Sequence, residues 1–198
     1  MRKIFWLAVL ALALPTAAIA DGVDFTNSGG ALVGSNSGLS LSGSALIAVN
    51  GLNGNGLVTG DNLGNLTFGT GMLTSGTLQK GGTFAGGGSF VIAGNGTNGI
   101  PNGTIFSGTF SGPVTWTLVT LANGTHNYTL TGVVTGTLGG GFITSGVTVQ
   151  LTVNTGHGYF KGSTRISSGD TTVMVPEPGA LSLLGTGLLG LAGILRRS

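Results

Sequence analysis

Short alternations of apolar and polar residues, interrupted by glycine, constrain the fold of this chain more than any other feature. The clearest run is 147–154, Val-Thr-Val-Gln-Leu-Thr-Val-Asn, in which every second residue is a branched aliphatic one. Residues 114–118, Val-Thr-Trp-Thr-Leu, repeat the pattern. Successive side chains of a strand point to opposite faces, so this alternation predicts strands with one buried face and one solvent face.

Similar runs predict further strands along the chain. These lie near 72–79, 83–92, 104–110, 126–138 and 159–166, and we assign 61–174 to a main β domain. Residues 21–60 are less periodic, with short apolar stretches at 31–33 and 45–49. We interpret 21–60 as early short strands of the same domain or as a partly extended arm.

Turn residues support the same fold class. The chain contains 41 glycines, which weaken helix interiors, and we find no long helical period outside the two terminal segments. Asn-Gly pairs favour the positive φ values of tight hairpin turns. They begin at Asn50, Asn53, Asn55, Asn95, Asn98, Asn102 and Asn123. The sequence therefore predicts an all-β fold, an antiparallel β-sandwich or an open barrel, with a β-helix as the alternative.

The N-terminal residues 1–20 have the pattern of a secretory signal peptide. Arg2 and Lys3 form a positive region, residues 4–14 are apolar, and Ala18 and Ala20 form an A-x-A cleavage signal. We predict cleavage after Ala20 and export of the chain.

The C-terminal residues 175–198 combine three features in a fixed order. Pro176, Glu177 and Pro178 form a short motif that the prolines keep out of regular structure. An uncharged apolar segment, 180–195, follows and covers roughly 25 Å as a helix, just short of a hydrocarbon core of about 30 Å. Arg196 and Arg197 come last and are predicted to stay on the cytoplasmic side.

This tail resembles the PEP-CTERM sorting signal of Gram-negative bacteria. The resemblance rests on the Pro-Glu-Pro motif, the Leu/Gly-rich span and the closing arginines, about an eighth of the chain. It implies recognition by an exosortase, a membrane-embedded protease-transpeptidase that cuts near the motif and frees the protein for display at the surface or in the extracellular matrix. The inner membrane would hold the chain only transiently. The alternative is a C-terminal membrane anchor that is never cut.

Charge excludes one class of partner. The net charge of +2 depends on four basic residues in the two terminal segments. Between them lie three basic residues, Lys80, Lys161 and Arg165, and four aspartates, Asp21, Asp24, Asp61 and Asp170. With no basic patch, we predict no nucleic-acid binding. The chain has no cysteine, so its stability must come from packing and backbone pairing.

Motifs for catalysis or cofactor binding are weak. A G-x-G-x-x-G pattern occurs at 94–99 and again at 185–190, but no helix start and no correctly spaced acidic residue accompany it, so we interpret both as turn or packing glycines. His126 and His157 are 31 positions apart, and no cluster of metal ligands surrounds them in sequence. Residues for a Ser-His-Asp triad exist, without a Gly-x-Ser-x-Gly elbow. We predict no enzyme activity, no cofactor and no metal.

Two residue classes leave a binding role open. Asn-x-Ser/Thr sequons begin at Asn65, Asn95, Asn102, Asn123 and Asn127, and we expect at most two of the five to be modified. The second class is a group of aromatic residues around Trp116, namely Phe106, Phe110, Tyr128 and Tyr159. Their strand positions favour a place in the core, with a sugar-stacking platform as the alternative.

Together these features predict an exported, non-enzymatic, structural or adhesive protein of the cell surface or an exopolysaccharide matrix. The alternatives are a carbohydrate-binding module and a permanently anchored envelope protein. Charged side chains on an edge strand oppose its pairing with another chain, and the predicted strands contain few of them. Pairing of strand edges between chains is therefore a further hypothesis.

Overall fold

The computed structural model describes residues 21–139 and 141–175, and the two terminal segments lie outside the described residues. Thirteen strands account for most of this part of the chain, with one short 3-10 helix at Leu52–Gly54. The strands are β1 Asp21–Ser28, β2 Ala31–Ser35, β3 Gly38–Asn50, β4 Val58–Gly69, β5 Leu73–Thr77, β6 Gly81–Phe84, β7 Gly87–Asn95, β8 Asn102–Phe110, β9 Val114–Thr120, β10 His126–Leu138, β11 Phe142–Asn154, β12 Ser163–Arg165 and β13 Ser168–Val175. The predicted all-β class is confirmed.

Eight of these strands close into an antiparallel barrel. Their order is β11-β13-β1-β3-β4-β7-β8-β10, and β10 pairs back with β11. Seven of the eight neighbouring pairs run antiparallel by register. At the eighth, Thr26 bonds to Asp170 and Gly22 faces Met174, so β1 and β13 also run in opposite directions. The barrel is thus closed, where the sequence predicted a sandwich, an open barrel or a β-helix.

Two long strands, β3 and β10, extend beyond the barrel, and the other five strands join the sheet through them. Strand β10 pairs with β8 through Val134–Leu138 and with β9 through His126–Thr131, on the same side. From β9 the sheet continues to β6 and then β5. Strand β3 pairs likewise with both β1 and β2, and β2 pairs with β12. Each of these 13-residue strands therefore pairs with two shorter strands, one after the other, along the same edge.

Four phenylalanines fill one part of the barrel interior. Phe68 and Phe90 face each other across β4 and β7, and their rings lie 6.3 Å apart. Phe106 packs edge-on to Phe90, and Phe110 packs edge-on to both Phe68 and Phe90. All four rings are buried, so nearly all of their apolar surface is removed from water, and this burial stabilises the fold.

A second aromatic cluster lies where β9 pairs with β10. The rings of Trp116 and Tyr128 stack at 4.9 Å, and Phe160 packs edge-on to both. Trp116 donates its indole N–H to the carbonyl of Leu78 at 3.0 Å, and Tyr128 donates its hydroxyl to that of Gln79 at 2.6 Å. Buried Trp and Tyr normally find such partners, and here the partners tie the turn after β5 to the sheet.

The predicted strand at 147–154 lies within β11, and that at 114–118 lies within β9. Val147, Val149, Leu151 and Val153 are all buried, as the alternation predicts. The strand predicted at 126–138 has the same bounds as β10. Residues 21–60 provide β1, β2 and β3, and bulges in the β1–β3 and β3–β4 pairings shift the alternation there.

Two strand predictions were wrong in extent. The run 83–92 is split into β6 and β7, because Ala85 between them pairs instead with Gly71 and Met72. Of 159–166, only Ser163–Arg165 forms a strand. Phe160 lies outside it because its N–H donates to the Tyr128 hydroxyl rather than to a neighbouring strand.

The Asn-Gly turns are confirmed in part. Asn98-Gly99, between β7 and β8, has positive φ at both residues, as a tight turn requires. Asn102-Gly103, in contrast, begins strand β8.

Within the described residues no helix has the length and apolar character needed to cross a membrane. The predicted signal peptide and the predicted apolar span at 180–195 lie outside this part of the chain.

Candidate functional site

The residues predicted to direct processing lie outside the described part of the chain. They are Ala18, Ala20, Pro176, Glu177, Pro178, Arg196 and Arg197. All described strands lie between these two groups of residues, from β1 to β13.

The first G-x-G-x-x-G match is a turn, as predicted. Gly94 lies near the end of β7, which stays paired through Asn95, and residues 96–101 form the connection to β8. A strand follows these glycines, whereas a dinucleotide site requires the N-terminus of a helix. The second match, 185–190, lies outside the described residues.

The two histidines have different surroundings. His126 is buried, its Nδ1 lies 3.0 Å from the Thr120 hydroxyl, and its ring stacks on Tyr159 at 4.4 Å. His157 is exposed in the loop after β11, near the turn at Gly124. In 21–139 and 141–175, no three His, Cys, Asp or Glu side chains gather into a group that could hold a metal ion.

Several sequon amides are engaged in local hydrogen bonds. Asn95 accepts from the N–H and hydroxyl of Thr97, and Asn123 accepts from the N–H of Thr125. Asn127 accepts from the side chain of Asn154. These bonds fix turns and a cross-strand pair, and the prediction about modification stays untested.

Burial assigns most of the aromatic residues to the core. Phe106, Phe110, Trp116 and Tyr128 are at most 2% exposed, which confirms the core interpretation for these four. They cannot form a sugar-stacking platform. Tyr159 differs, because 48% of its surface is exposed while His126 covers one side of its ring.

A row of polar side chains crosses six neighbouring strands on the solvent face of the sheet, and we call it the polar ladder. Cross-strand pairing aligns its first five members, and a hydrogen bond of 2.9 Å from the Thr26 hydroxyl to the Asp170 carboxylate adds the sixth. In spatial order the members are Thr83, Thr115, Thr131, Gln150, Asp170 and Thr26. They face outward because their sequence neighbours, such as Trp116 and Leu130, face the core.

The centre of the ladder lies in a groove of about 500 Å³. Thr115, Thr131, Gln150 and Asp170 line it on β9, β10, β11 and β13. The adjacent row adds Val133, Thr148 and Thr172, which pair across β10, β11 and β13. Pro113, directly before β9, also lines the groove. A second groove of about 410 Å³ runs along β5.

The groove offers hydrogen bonds rather than acid–base chemistry. Threonine hydroxyls and the Gln150 amide can each donate and accept, and Asp170 is the one ionisable residue among those that line the groove. A catalytic pair would need a second titratable group within hydrogen-bond reach. The arrangement therefore suits a ligand that presents many neutral donors and acceptors.

Sequence reasoning missed the polar ladder, although it identified the alternation that creates it. The threonines of β9 and β11 were interpreted only as the solvent face of two strands. Their alignment depends on which residues pair across strands, and that register is not visible in either strand alone.

Comparison with known proteins gives no family for this chain. It matches no protein-family model, and no curated protein or solved structure is significantly similar to it.

Proposed function

We propose that this chain is an exported, non-enzymatic protein with a structural or adhesive role at the cell surface or in an exopolysaccharide matrix. An exosortase-type system in the inner membrane would recognise Pro176, Glu177 and Pro178 and process the tail. Arg196 and Arg197 would fix its orientation, and Ala18 and Ala20 would direct removal of the signal peptide.

One observation carries this proposal: the compact folded unit lies between the two proposed cleavage sites. Among the described residues, the strands run from β1, Asp21–Ser28, to β13, Ser168–Val175. The compact unit itself is Gly22–Met174. Cuts after Ala20 and after Val175 would therefore leave every described strand complete, and the closed barrel would be the mature product.

The surface chemistry of the barrel supports a role among neutral polymers. Its outward residues on β9, β10 and β11 are largely threonines, and the charged side chains of Lys80, Lys161 and Arg165 are scattered and exposed. Such a surface interacts with water through neutral hydroxyls, as a polysaccharide does.

The test is the intact mass of the protein produced by its native host, compared with a Glu177→Ala variant. We expect the wild type to begin at Asp21 and to end between Val175 and Pro178, and the variant to keep its tail in the membrane. Asp61→Ala is the matched control, since it removes an exposed carboxylate from β4 and should be processed normally.

A wild-type mass that still includes Arg196 and Arg197 would contradict the sorting proposal and identify the tail as a plain anchor. Normal processing of Glu177→Ala would show that the motif is not what the protease recognises.

A further inference from the structure

We propose that the groove over the polar ladder binds a neutral, extended polysaccharide chain that runs across the strands. The inference rests on the proposed function for the setting in which such a polymer is met, but the binding chemistry comes from the groove itself. No bond is made or broken, and the chain acts as a binding surface.

The spacing of the ladder suits a polymer with a short, regular repeat. Neighbouring strands lie about 4.8 Å apart, so the four strands under the groove span about 14 Å. Thr115, Thr131, Gln150 and Asp170 each present one polar group per strand along this line. An extended chain of pyranose rings advances by a similar step per ring, so successive rings can meet successive ladder residues.

The hydrogen-bonding groups match sugar hydroxyls. A threonine hydroxyl donates one hydrogen bond and accepts others, and the Gln150 amide does both as well. Thr148 and Thr172 extend the same chemistry to the adjacent row. A sugar hydroxyl also donates and accepts, so either partner can adapt to the other.

Apolar groups are placed to meet the ring faces. Val133 is 41% exposed and lies in the groove beside Thr148. Pro113 is exposed at the same groove. Burial of such patches under the C–H face of a sugar would add a modest apolar contribution to the polar contacts.

Charge decides between neutral and anionic polymers. Asp170 is the only charged residue that lines the groove, and no lysine or arginine lines it. A polymer of uronic acids or phosphates would bring like charge next to Asp170 with no cation to offset it. The groove therefore favours a neutral glycan.

The test uses the purified full-length chain in detergent and measures binding of cellohexaose by calorimetry. Polygalacturonate hexamer serves as the anionic comparison, and we expect it to bind more weakly. Thr131→Val removes a central hydroxyl but keeps the branched shape and strand propensity, and it should raise Kd about fivefold, the effect of one lost hydrogen bond. Gln150→Met, a second variant of similar length, should do the same.

Thr104→Val is the matched control, because Thr104 is an exposed threonine of β8 that does not line the groove. Its Kd should equal that of the wild type. Absence of cellohexaose binding at millimolar concentration would overturn the inference, as would equal losses in Thr104→Val and Thr131→Val. Neither result involves the tail, so failure here is distinguishable from failure of the processing experiment.

Discussion

The hydroxyl of Tyr128 links three segments that are distant in sequence, and its removal tests whether they are held together there. It donates to the carbonyl of Gln79 after β5 at 2.6 Å and accepts from the N–H of Phe160 after β11 at 3.1 Å. Tyr128 itself lies on β10 and is fully buried. The variant Tyr128→Phe keeps the ring and its stacking on Trp116 but loses both hydrogen bonds.

The expected cost follows from the number and burial of these bonds. Each intramolecular hydrogen bond contributes about 0.5–1.5 kcal/mol net, and a buried group left without a partner costs about 1–3 kcal/mol. Phe160 is 1% exposed, so water cannot easily replace the lost acceptor. We expect the free energy of unfolding to fall by about 2 kcal/mol.

Urea unfolding, followed by the fluorescence of Trp116, measures this loss as a lower midpoint with an unchanged slope. Hydrogen exchange at the Phe160 amide should also become faster. Tyr159→Phe is the control, because Tyr159 is about half exposed and should change stability by less than about 0.5 kcal/mol. A Tyr128→Phe variant as stable as this control would refute the role of the hydroxyl as a link.

Three further predictions concern pH, packing and association. Burial raises the pKa of Tyr128, against the lowering effect of the Phe160 N–H, so the folded state holds the proton more tightly than the unfolded state. The free energy of unfolding should not depend on this group below about pH 10 and should decrease above that pH. In Tyr128→Phe the decrease should be smaller, and urea unfolding at several alkaline pH values measures the difference. Gly169→Ala would push a methyl group into Leu151 and should cost about 1–3 kcal/mol in thermal unfolding, whereas Gly112→Ala meets open space and should be neutral or slightly stabilising. Because the described sheet ends only at the short strands β5 and β12, sedimentation should show a monomer, and concentration-dependent oligomers would revive the edge-pairing hypothesis.

Local pattern predicted strands well where alternation is uninterrupted. Strand β10 and the buried faces of β9 and β11 follow largely from alternation, because most of their inward residues are large and apolar, with His126 and Thr144 as buried polar exceptions. Alternation failed to predict strand bounds where pairing with a distant segment determines them. Ala85 interrupts 83–92 because it pairs with residues before β5, and no property of 83–92 itself reveals this.

Closure of the barrel could not be predicted for the same reason. It requires β13 to lie between β11 and β1, which brings together the two ends of the folded unit. Alternation determines which face of each strand is buried but not which strand lies beside it. The polar ladder has this origin too, since Thr131 and Gln150 become neighbours only through the β10–β11 register.

The position of the first and last strands limits where the chain can be cut without opening the barrel. Val23 and Phe25 on β1 and Val173 on β13 are buried, and β13 pairs with β11 through residues up to Thr172. A cut before Val173 would remove that core residue from the end of β13. Val175 is the last described residue of β13, and Pro176 has no N–H to donate to a strand ladder, so a cut between them would leave every described strand complete. A protease that recognises a proline-bounded motif directly after the last strand would release the barrel intact.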